Sequence, residues 1–338
     1  MKAVGYLTPG SIDRDDAFLD LDIPDPVLRP RDLLVRIKAI SVNPADTKIR
    51  ASAKPADGAT AKVLGWDAAG IVEAVGPDVS LFQVGDEVFY AGDVSRPGTN
   101  AELHAVDERI VGIKPQTLDW AEATALPLTA ITAWELLFDR LRIPYGTKTK
   151  TGTLLVINGA GGVGSILIQL ARRLTGLTVI ATASRPETIA WVRKMGAHHV
   201  IDHHQPLDAA LRSIGIPHAD YVAGLTATAQ HLPAIVELIA PQGHLALIDD
   251  PDVLDIAAFK RKSVTISWEF MFTLALFETE DMAAQGQLLN EVSALVDAGV
   301  LSTTLTSSDG PINAARLKQA HRAVESGRSI GKTVLVGF

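Results

Sequence analysis

The chain has 338 residues, of which 47% are hydrophobic and 21% charged, so it is long enough to bury substantial cores and to form about two domains. Its formal net charge of −8 gives no electrostatic reason to expect nucleic acid or an anionic membrane as a partner. The sequence contains no cysteine, which excludes disulfides, thiolate metal ligands and a cysteine nucleophile.

The first residues, from Met1 to Leu7, lack the long apolar core of a signal peptide. No apolar run in the sequence approaches membrane-spanning length. We therefore expect a cytoplasmic protein.

The first third of the chain is predicted to form strands and turns. The stretches 33–40, 65–76 and 84–89 combine alternating or β-branched residues with glycine-bounded turns. Together they predict a compact, partly open β-barrel. The pattern then changes to helix at 119–125 and 128–137, which are rich in alanine, leucine and glutamate, and Thr117 or Asp119 is the candidate N-terminal cap.

The middle of the chain alternates predicted strands with predicted helices. The strands are 154–157, 177–181, 199–201, 219–225 and 244–248, with helices starting near 166 and covering 186–195. This alternation indicates βαβ units and a parallel, doubly wound sheet. The chain ends with predicted helices at 287–298 and 313–325 and a strand at 332–336, and no flexible linker marks a domain boundary.

A glycine-rich turn lies between the strand at 154–157 and the helix that follows it. Gly159, Gly161 and Gly164 have the G-x-G-x-x-G spacing. In this pattern the first glycine permits a tight turn, the second lets the backbone approach a pyrophosphate, and the third lets helix and strand pack closely. The flanking strand and helix are the context that such a motif requires, so we predict a dinucleotide site on the helix N-terminus.

The end of the second predicted strand bears on which dinucleotide binds. NAD sites usually place a carboxylate there for the ribose 2′-hydroxyl, whereas this chain has Ser184 and Arg185. Serine can donate a hydrogen bond, and a guanidinium can bind a 2′-phosphate through two hydrogen bonds. The alternative is an ordinary exposed arginine before the helix. We predict NADPH as the cofactor.

Three motifs, in the same order, resemble those of the medium-chain dehydrogenases and reductases, and within them the zinc-independent quinone oxidoreductase branch related to zeta-crystallin. They are Ile40 to Thr47, Gly65 to Gly76, and Gly159 to Gly164. The resemblance implies an α/β protein with a GroES-like, partly open β-barrel catalytic domain (1–125 and 300–338) and a Rossmann doubly wound parallel-sheet domain (126–299).

The resemblance also implies a homodimer. The aromatic segment 267–273 lies in a region that this family uses near the substrate cleft and the subunit contact. Pocket wall, dimer surface and ordinary core are all open interpretations of this segment.

The sequence departs from the zinc alcohol dehydrogenases of the same superfamily at their metal ligands. Where those enzymes have Cys and the Gly-His-Glu motif, this chain has Asn43 or its neighbour and Gly65-Trp66-Asp67. Zinc prefers nitrogen and thiolate ligands, and tryptophan cannot coordinate it. The histidines at 198, 199, 203 and 204 form a predicted polar loop instead, so we expect no metal.

Several cofactor contacts follow from the resemblance alone. It assigns Gly162 and Val163 of the glycine motif to the cofactor, places Thr132 at the nicotinamide and places His203 near the adenosine 2′-phosphate. Lys332 resembles a family cofactor contact, and its alternative is an ordinary surface lysine.

The candidate catalytic residues also come from family positions. Asn43 can donate an amide N–H to an acceptor oxygen, although Asn-Pro is equally a common turn. Asp46 follows nearby. Lys48 stands where relatives often carry a tyrosine; it could donate a proton or stabilise an enolate, or simply be solvated. Trp66 is expected to form an apolar pocket wall, and Asp67 to make a buried structural hydrogen bond.

Without a Lewis acid, an alcohol is not easily activated to donate hydride, whereas a quinone or α,β-unsaturated carbonyl accepts hydride with hydrogen-bond help alone. The sequence therefore predicts an NADPH-dependent quinone or enone oxidoreductase acting on a small molecule. Two alternatives stay open: an alcohol or aldehyde dehydrogenase of the same superfamily, and an NADPH-binding scaffold or sensor with little turnover.

Overall fold

The computed structural model describes residues 1–149 and 151–338. Contacts between residues divide them into two compact units. Unit 1 comprises Met1–Ile131 and Phe272–Phe338, and unit 2 comprises Thr132–Met271. In the described residues, no helix combines the length and apolar content needed to cross a membrane.

The strands, in chain order, are β1 (Lys2–Tyr6), β2 (Leu19–Asp22), β3 (Asp32–Ser41), β4 (Lys62–Val63), β5 (Ala68–Val75), β6 (Glu87–Tyr90), β7 (Leu103–Asp107), β8 (Val111–Ile113), β9 (Thr153–Ile157), β10 (Thr178–Thr182), β11 (His199–Ile201), β12 (Ala219–Gly224), β13 (Ile239–Leu247), β14 (Thr265–Trp268), β15 (Leu305–Ser308) and β16 (Lys332–Val336).

The α-helices are α1 (Pro44–Ser52), α2 (Trp120–Thr124), α3 (Pro127–Trp134), α4 (Gly162–Leu174), α5 (Pro186–Met195), α6 (Leu207–Ser213), α7 (Thr228–Leu238), α8 (Thr273–Leu276), α9 (Ala284–Asp297) and α10 (Ala314–Glu325). A π-helical segment covers Glu135–Arg140, and 3₁₀ turns cover Glu108–Ile110 and Ile256–Lys262. Asp119, one of the two candidate caps, accepts a hydrogen bond from the Glu122 N–H at 2.8 Å.

Strand β3 is central to the β-structure of unit 1. The larger sheet has the order β15-β16-β3-β5-β6-β8, with β7 also pairing with β3, and a smaller sheet has the order β2-β1-β4. On either side of β3, Ser41 pairs with Val334 of β16 and Ile40 with Ala68 of β5. This register brings the residues after β3, before β5 and at the start of β16 to one place.

Unit 2 contains a six-stranded sheet in the order β11-β10-β9-β12-β13-β14, and every neighbouring pair in it is parallel. Numbered within the unit, this order is 3-2-1-4-5-6, the Rossmann arrangement. Its central strands are largely buried, and Leu155, Val222 and Leu245 are fully buried, as expected for a sheet covered on both faces. The predicted α/β class is confirmed, with a GroES-like β-domain and a Rossmann parallel sheet.

Two details differ from the sequence-based expectation. The predicted helix 128–137 is interrupted, because α3 ends at Trp134 and the chain continues as a wider π-helical turn. The second difference concerns residues 126–131 and 272–299, which the predicted division gave to the nucleotide-binding domain. In the structure they belong to unit 1, where α9 packs on β8 and the Asn290 side chain accepts a hydrogen bond from the Ile113 N–H at 2.8 Å.

Candidate functional site

The glycine motif forms a turn between β9 and α4. Asn158 follows the strand with a positive φ of 67°, a conformation that asparagine tolerates better than most residues. Gly161 is the N-terminal cap of α4 and has an extended backbone, and no side chain of the described residues caps the helix. Gly161, Gly162 and Val163 are partly exposed, so the first N–H groups of α4 lie where an anion could reach them.

The first and third glycines of the motif are required by packing. A Cβ at Gly159 would lie 2.8 Å from the Cβ of Ala181, and one at Gly164 would lie 2.5 Å from the Asn158 carbonyl oxygen. At Gly161 the nearest atom, the Asn158 Nδ2, would be 3.2 Å away. Alanine at Gly161 would require only a small shift of the Asn158 side chain, so packing constrains this glycine less than the other two.

The end of β10 lies beside the loop after β11. The Ser184 hydroxyl and the His203 Nε2 are 3.4 Å apart, and both residues are partly buried. Burial is the main reason that the pKa of His203 lies below its ordinary value, with the neighbouring His204 adding to the effect. The His203 Nδ1 is buried and has no hydrogen-bond partner among the described residues.

Arg185 belongs to the same place but already has an anionic partner. Its guanidinium is 3.2 Å from the Glu187 carboxylate on α5. A 2′-phosphate would therefore compete with Glu187 for the arginine. The donors Ser184, Arg185 and His203 fit a phosphate group, and the glycine turn fits a pyrophosphate. Thr132, the other predicted cofactor residue in this unit, is buried within α3.

The polar centre of unit 1 is the buried carboxylate of Asp67, immediately before β5. One of its oxygens accepts hydrogen bonds from the Ser41 hydroxyl and the Asn43 Nδ2, each at 2.7 Å. The other accepts from the Leu128 N–H, also at 2.7 Å. The predicted structural hydrogen bonding of Asp67 is confirmed.

Lys332, at the start of β16, supplies the countercharge to Asp67. Its ammonium lies 3.2 Å from the Asp67 carboxylate and donates to the Val42 carbonyl at 3.0 Å and to the Asn43 Oδ1. Lys332 is 4% exposed, so it is not a surface lysine. Because the lysine can only donate and the carboxylate can only accept, the Asn43 amide has one orientation, with its oxygen toward Lys332.

Of the four residues predicted to be catalytic, the structure brings Asn43, Asp46 and Trp66 together in the interior, each 1% exposed. Asp46 accepts a hydrogen bond from the Asn43 N–H at 2.7 Å, and its other oxygen has no partner within the described chain. Burial raises the pKa of Asp46 to about 7. Trp66 donates to the Asp93 carbonyl at 3.2 Å and meets Phe272 edge to face. Lys48 is exposed on α1.

The donor set at these positions does not fit zinc. Tryptophan cannot coordinate a metal, and the Asp67 carboxylate is already bonded to four donors, one of them an ammonium. Among the described residues, no group of three or more His, Cys, Asp or Glu side chains is arranged to hold a metal ion.

A second polar cluster, which was not predicted from the sequence, lies in unit 2. The carboxyl groups of Glu135 and Glu269 lie together beside the Arg140 guanidinium. The available signal was a glutamate within the otherwise apolar run Ala133-Trp134-Glu135-Leu136-Leu137. The aromatic segment 267–273 does not behave as one surface. Met271 and Phe272 are buried like core residues, whereas Trp268 and Phe270 are half-exposed.

Two family models match the chain. Residues 29–125 match the alcohol dehydrogenase GroES-like domain, and residues 195–335 match the zinc-binding dehydrogenase domain. A zinc-type alcohol dehydrogenase-like protein of Staphylococcus aureus is 40% identical, with the alignment covering 99% of both chains.

Two further relatives extend the comparison. A crystal structure from Rhizobium etli, provisionally named as a zinc-dependent alcohol dehydrogenase, is 58% identical and has a TM-score of 0.96, covering 100% of this chain and 98% of that one. An NADPH-dependent alkenal/one oxidoreductase of Arabidopsis thaliana is 36% identical over 60% of this chain and 52% of its own length. The chain belongs to the medium-chain dehydrogenase/reductase superfamily and is an oxidoreductase of that superfamily.

Proposed function

We propose that this oxidoreductase transfers hydride from NADPH to a quinone or an α,β-unsaturated carbonyl without a metal ion. The observation that carries the proposal is the buried ion pair between Lys332 and Asp67, the latter in the Gly65-Trp66-Asp67 segment that was compared with a metal-ligand motif. Because the described residues include no group of three or more side chains arranged to hold a metal ion, they offer no place for the Lewis acid that alcohol oxidation needs. Reduction of an electron-poor acceptor requires only placement and hydrogen-bond polarisation of its oxygen.

The choice of NADPH is supported by the side chains at the end of β10. Ser184, Arg185 and His203 offer donors for a 2′-phosphate, and no carboxylate stands at the tip of the strand. The bound cofactor would supply the hydride. Gly161, Gly162 and Val163 would bind its pyrophosphate through the first N–H groups of α4. The nicotinamide contact of Thr132 and the cofactor contact of Lys332 stay predictions.

The chain's own groups would act on the acceptor in two ways. Lys48 is the exposed member of the predicted catalytic set, so we assign it the polarisation of the acceptor oxygen. Burial raises the pKa of Asp46 to about 7, so its carboxyl would hold a proton near neutral pH. That proton would be available to the reduced acceptor, which needs one proton after it has accepted hydride. Asn43, Asp67 and Lys332 fix the backbone segment from which Asp46 and Lys48 project.

The experiment is a comparison of substrate classes. NADPH oxidation is measured with quinones, enones and simple aldehydes, and NADP⁺ reduction with simple alcohols, for the wild type and Lys48→Met. We expect turnover with quinones or enones and a lower kcat in Lys48→Met. Lys54→Met, which changes another exposed lysine of unit 1, is the matched control. Preferential oxidation of simple alcohols would contradict the proposal.

A low-turnover NADPH-binding protein is the second candidate, and one observation favours it. Asn43, Asp46 and Trp66 are all buried, which leaves few polar groups for an acceptor to contact. Tight NADPH binding combined with no turnover across the substrate panel would support this candidate over the reductase.

A homodimer is also proposed. It is supported by the position of β14 at one edge of the six-stranded sheet and by the half-exposed Trp268 at the end of that strand. Light scattering tests it, and a monomer mass at assay concentration would contradict it. A cytoplasmic location stays a prediction.

A further inference from the structure

Unit 2 contains a group of three ionisable side chains, two buried glutamates and a partly exposed arginine, that no part of the proposed reaction uses. Glu135 is the first residue of the π-helical segment, Arg140 is its last, and Glu269 follows β14 directly. Both glutamates are 3% exposed. The end of β14 is held to the sheet by a hydrogen bond from the Glu269 N–H to the Leu247 carbonyl at 2.9 Å.

The π-helical turn explains how Glu135 and Arg140 reach the same partner. In an α-helix, side chains five residues apart point in different directions, because neighbours on one face are three or four residues apart. Here the Leu141 N–H bonds to the Leu136 carbonyl, five residues back, at 2.9 Å. The wider turn brings Glu135 and Arg140 to one face, and π-helical turns of this kind are frequent at functional sites.

The hydrogen bonding of the group requires a proton between the two glutamates. The Arg140 Nε donates to one Glu269 oxygen at 2.9 Å, whereas the guanidinium is 3.6 Å from the Glu135 carboxyl. Both Glu135 oxygens and the second Glu269 oxygen are buried without a donor in the described part of the chain. Two ionised carboxylates in contact would repel each other. A proton held by Glu135 and donated to Glu269 removes this repulsion and gives the second Glu269 oxygen a donor.

The charged groups acting on Glu135 agree with this distribution of the proton. Burial raises its pKa, and the contacting Glu269 raises it further; Arg140 lowers it, and Asp139 on the same segment raises it. For Glu269 burial again raises the pKa, but its closer contact with Arg140 opposes the shift. The protonated partner is therefore Glu135, and the charged pair is Glu269 with Arg140.

We propose that Glu135 and Glu269 are positioning residues that share one proton and, with Arg140, hold the π-helical segment at the carboxyl end of β14, thereby fixing Thr132 on the preceding helix for the cofactor. Thr132 lies three residues before Glu135, on the neighbouring part of the helical surface. The cofactor part of this inference rests on the proposed function. The proton-sharing part does not.

The first test uses stability alone. A carboxyl whose pKa is raised in the folded protein retains its proton above the ordinary value of 4.5, where the unfolded chain has lost it. Wild-type stability is then lost as the pH rises toward the folded pKa. Glu135→Gln keeps an uncharged hydrogen-bond donor at this position, so its thermal midpoint should exceed that of the wild type increasingly between about pH 6 and about pH 9. Parallel curves for the two proteins would overturn the shared proton.

The second test measures NADPH binding by fluorescence titration at neutral pH. Glu135→Gln should bind NADPH like the wild type, whereas Glu135→Leu, which has no donor for Glu269, should bind it about tenfold more weakly or worse. Equal affinities for Glu135→Leu and the wild type would overturn the positioning role. If even the wild type fails to bind NADPH, the proposed function fails, and the thermal profiles still decide whether the proton is shared.

Discussion

The ammonium of Lys332 lies 3.2 Å from the carboxylate of Asp67, and both side chains are buried. Their pairing joins the start of β16 to the segment before β5, and the Asn43 amide is held between them. A buried ion pair is expensive to break, because removing one partner leaves the other charge uncompensated. This pair therefore determines both the polarity of the centre of unit 1 and much of its local stability.

Lys332→Met should lower the free energy of unfolding by about 3–5 kcal/mol, because it leaves the Asp67 charge buried and unpaired. Chemical denaturation measures the change. Lys54→Met, at an exposed position, is the control and should change stability little. The double variant Asp67→Leu/Lys332→Met removes both charges and should recover part of the loss. Equal effects of Lys332→Met and Lys54→Met would contradict the buried pair.

Two glycines of the β9–α4 turn should respond differently to alanine. Gly164→Ala places a Cβ 2.5 Å from a backbone oxygen and should lower both the thermal midpoint and NADPH affinity. Gly161→Ala has a compatible backbone and requires only a small shift of the Asn158 side chain, so it should fold normally. It should bind NADPH more weakly, since the Cβ enters the space of the pyrophosphate. Thermal melts and fluorescence titrations measure both. Wild-type NADPH affinity in Gly161→Ala would refute pyrophosphate binding at this turn.

Substitutions of Arg185 and Glu187 should change the affinity for NADPH in opposite directions. Arg185→Ala removes charge-assisted hydrogen bonds to the 2′-phosphate and should weaken NADPH binding by roughly tenfold to a hundredfold, with NADH unaffected. Glu187→Gln removes the competing partner of the arginine and should tighten NADPH binding. Calorimetric titrations with both nucleotides measure the preference. An unchanged ratio of NADPH to NADH affinity in Arg185→Ala would remove this arginine from cofactor selection.

The buried side chain of His321 should make the folded protein less stable in acid. Its ring is buried on α10 against Phe18, and neither ring nitrogen has a hydrogen-bond partner among the described residues. Burial lowers its pKa to about 3, with Arg50 contributing. The unfolded chain takes up this proton near 6.5 and the folded chain does not, so stability falls as the pH drops from about 6.5 toward 3.

Urea denaturation at several pH values measures this effect. His321→Leu should reduce the acid-dependent loss, whereas His218→Leu, at an exposed position, should follow the wild type. An unchanged pH dependence in His321→Leu would show that other groups cause the loss.

Local sequence patterns predicted the local structures well. The apolar run before Gly159 and the helical spacing after Gly164 specify β9, the turn and α4 within one continuous segment. The contact between Asp67 and Lys332 could not be predicted from local patterns. It depends on the pairing of β16 with β3, two strands that lie near opposite ends of the sequence. No residue near Lys332 signals that its ammonium will be buried.

The π-helical turn illustrates the same limit. Alanine and leucine around Glu135 favour a helix, but they do not distinguish an α-helical turn from a π-helical one. The wider turn accompanies the contact of Glu135 and Arg140 with Glu269, which is distant in sequence. For similar reasons, residues 272–299 were assigned to the nucleotide-binding domain from their position, whereas their packing against β8 places them in unit 1.

Hydride transfer without a metal ion is tested by the rate of NADPH oxidation with a quinone or enone before and after exhaustive dialysis against a metal chelator. The rate should be the same in both samples, because Lys332 supplies the buried positive charge beside Asp67 and the side chains of Asn43, Trp66 and Asp67 do not fit a metal ion. A rate that is lost on chelation and restored by zinc would contradict it.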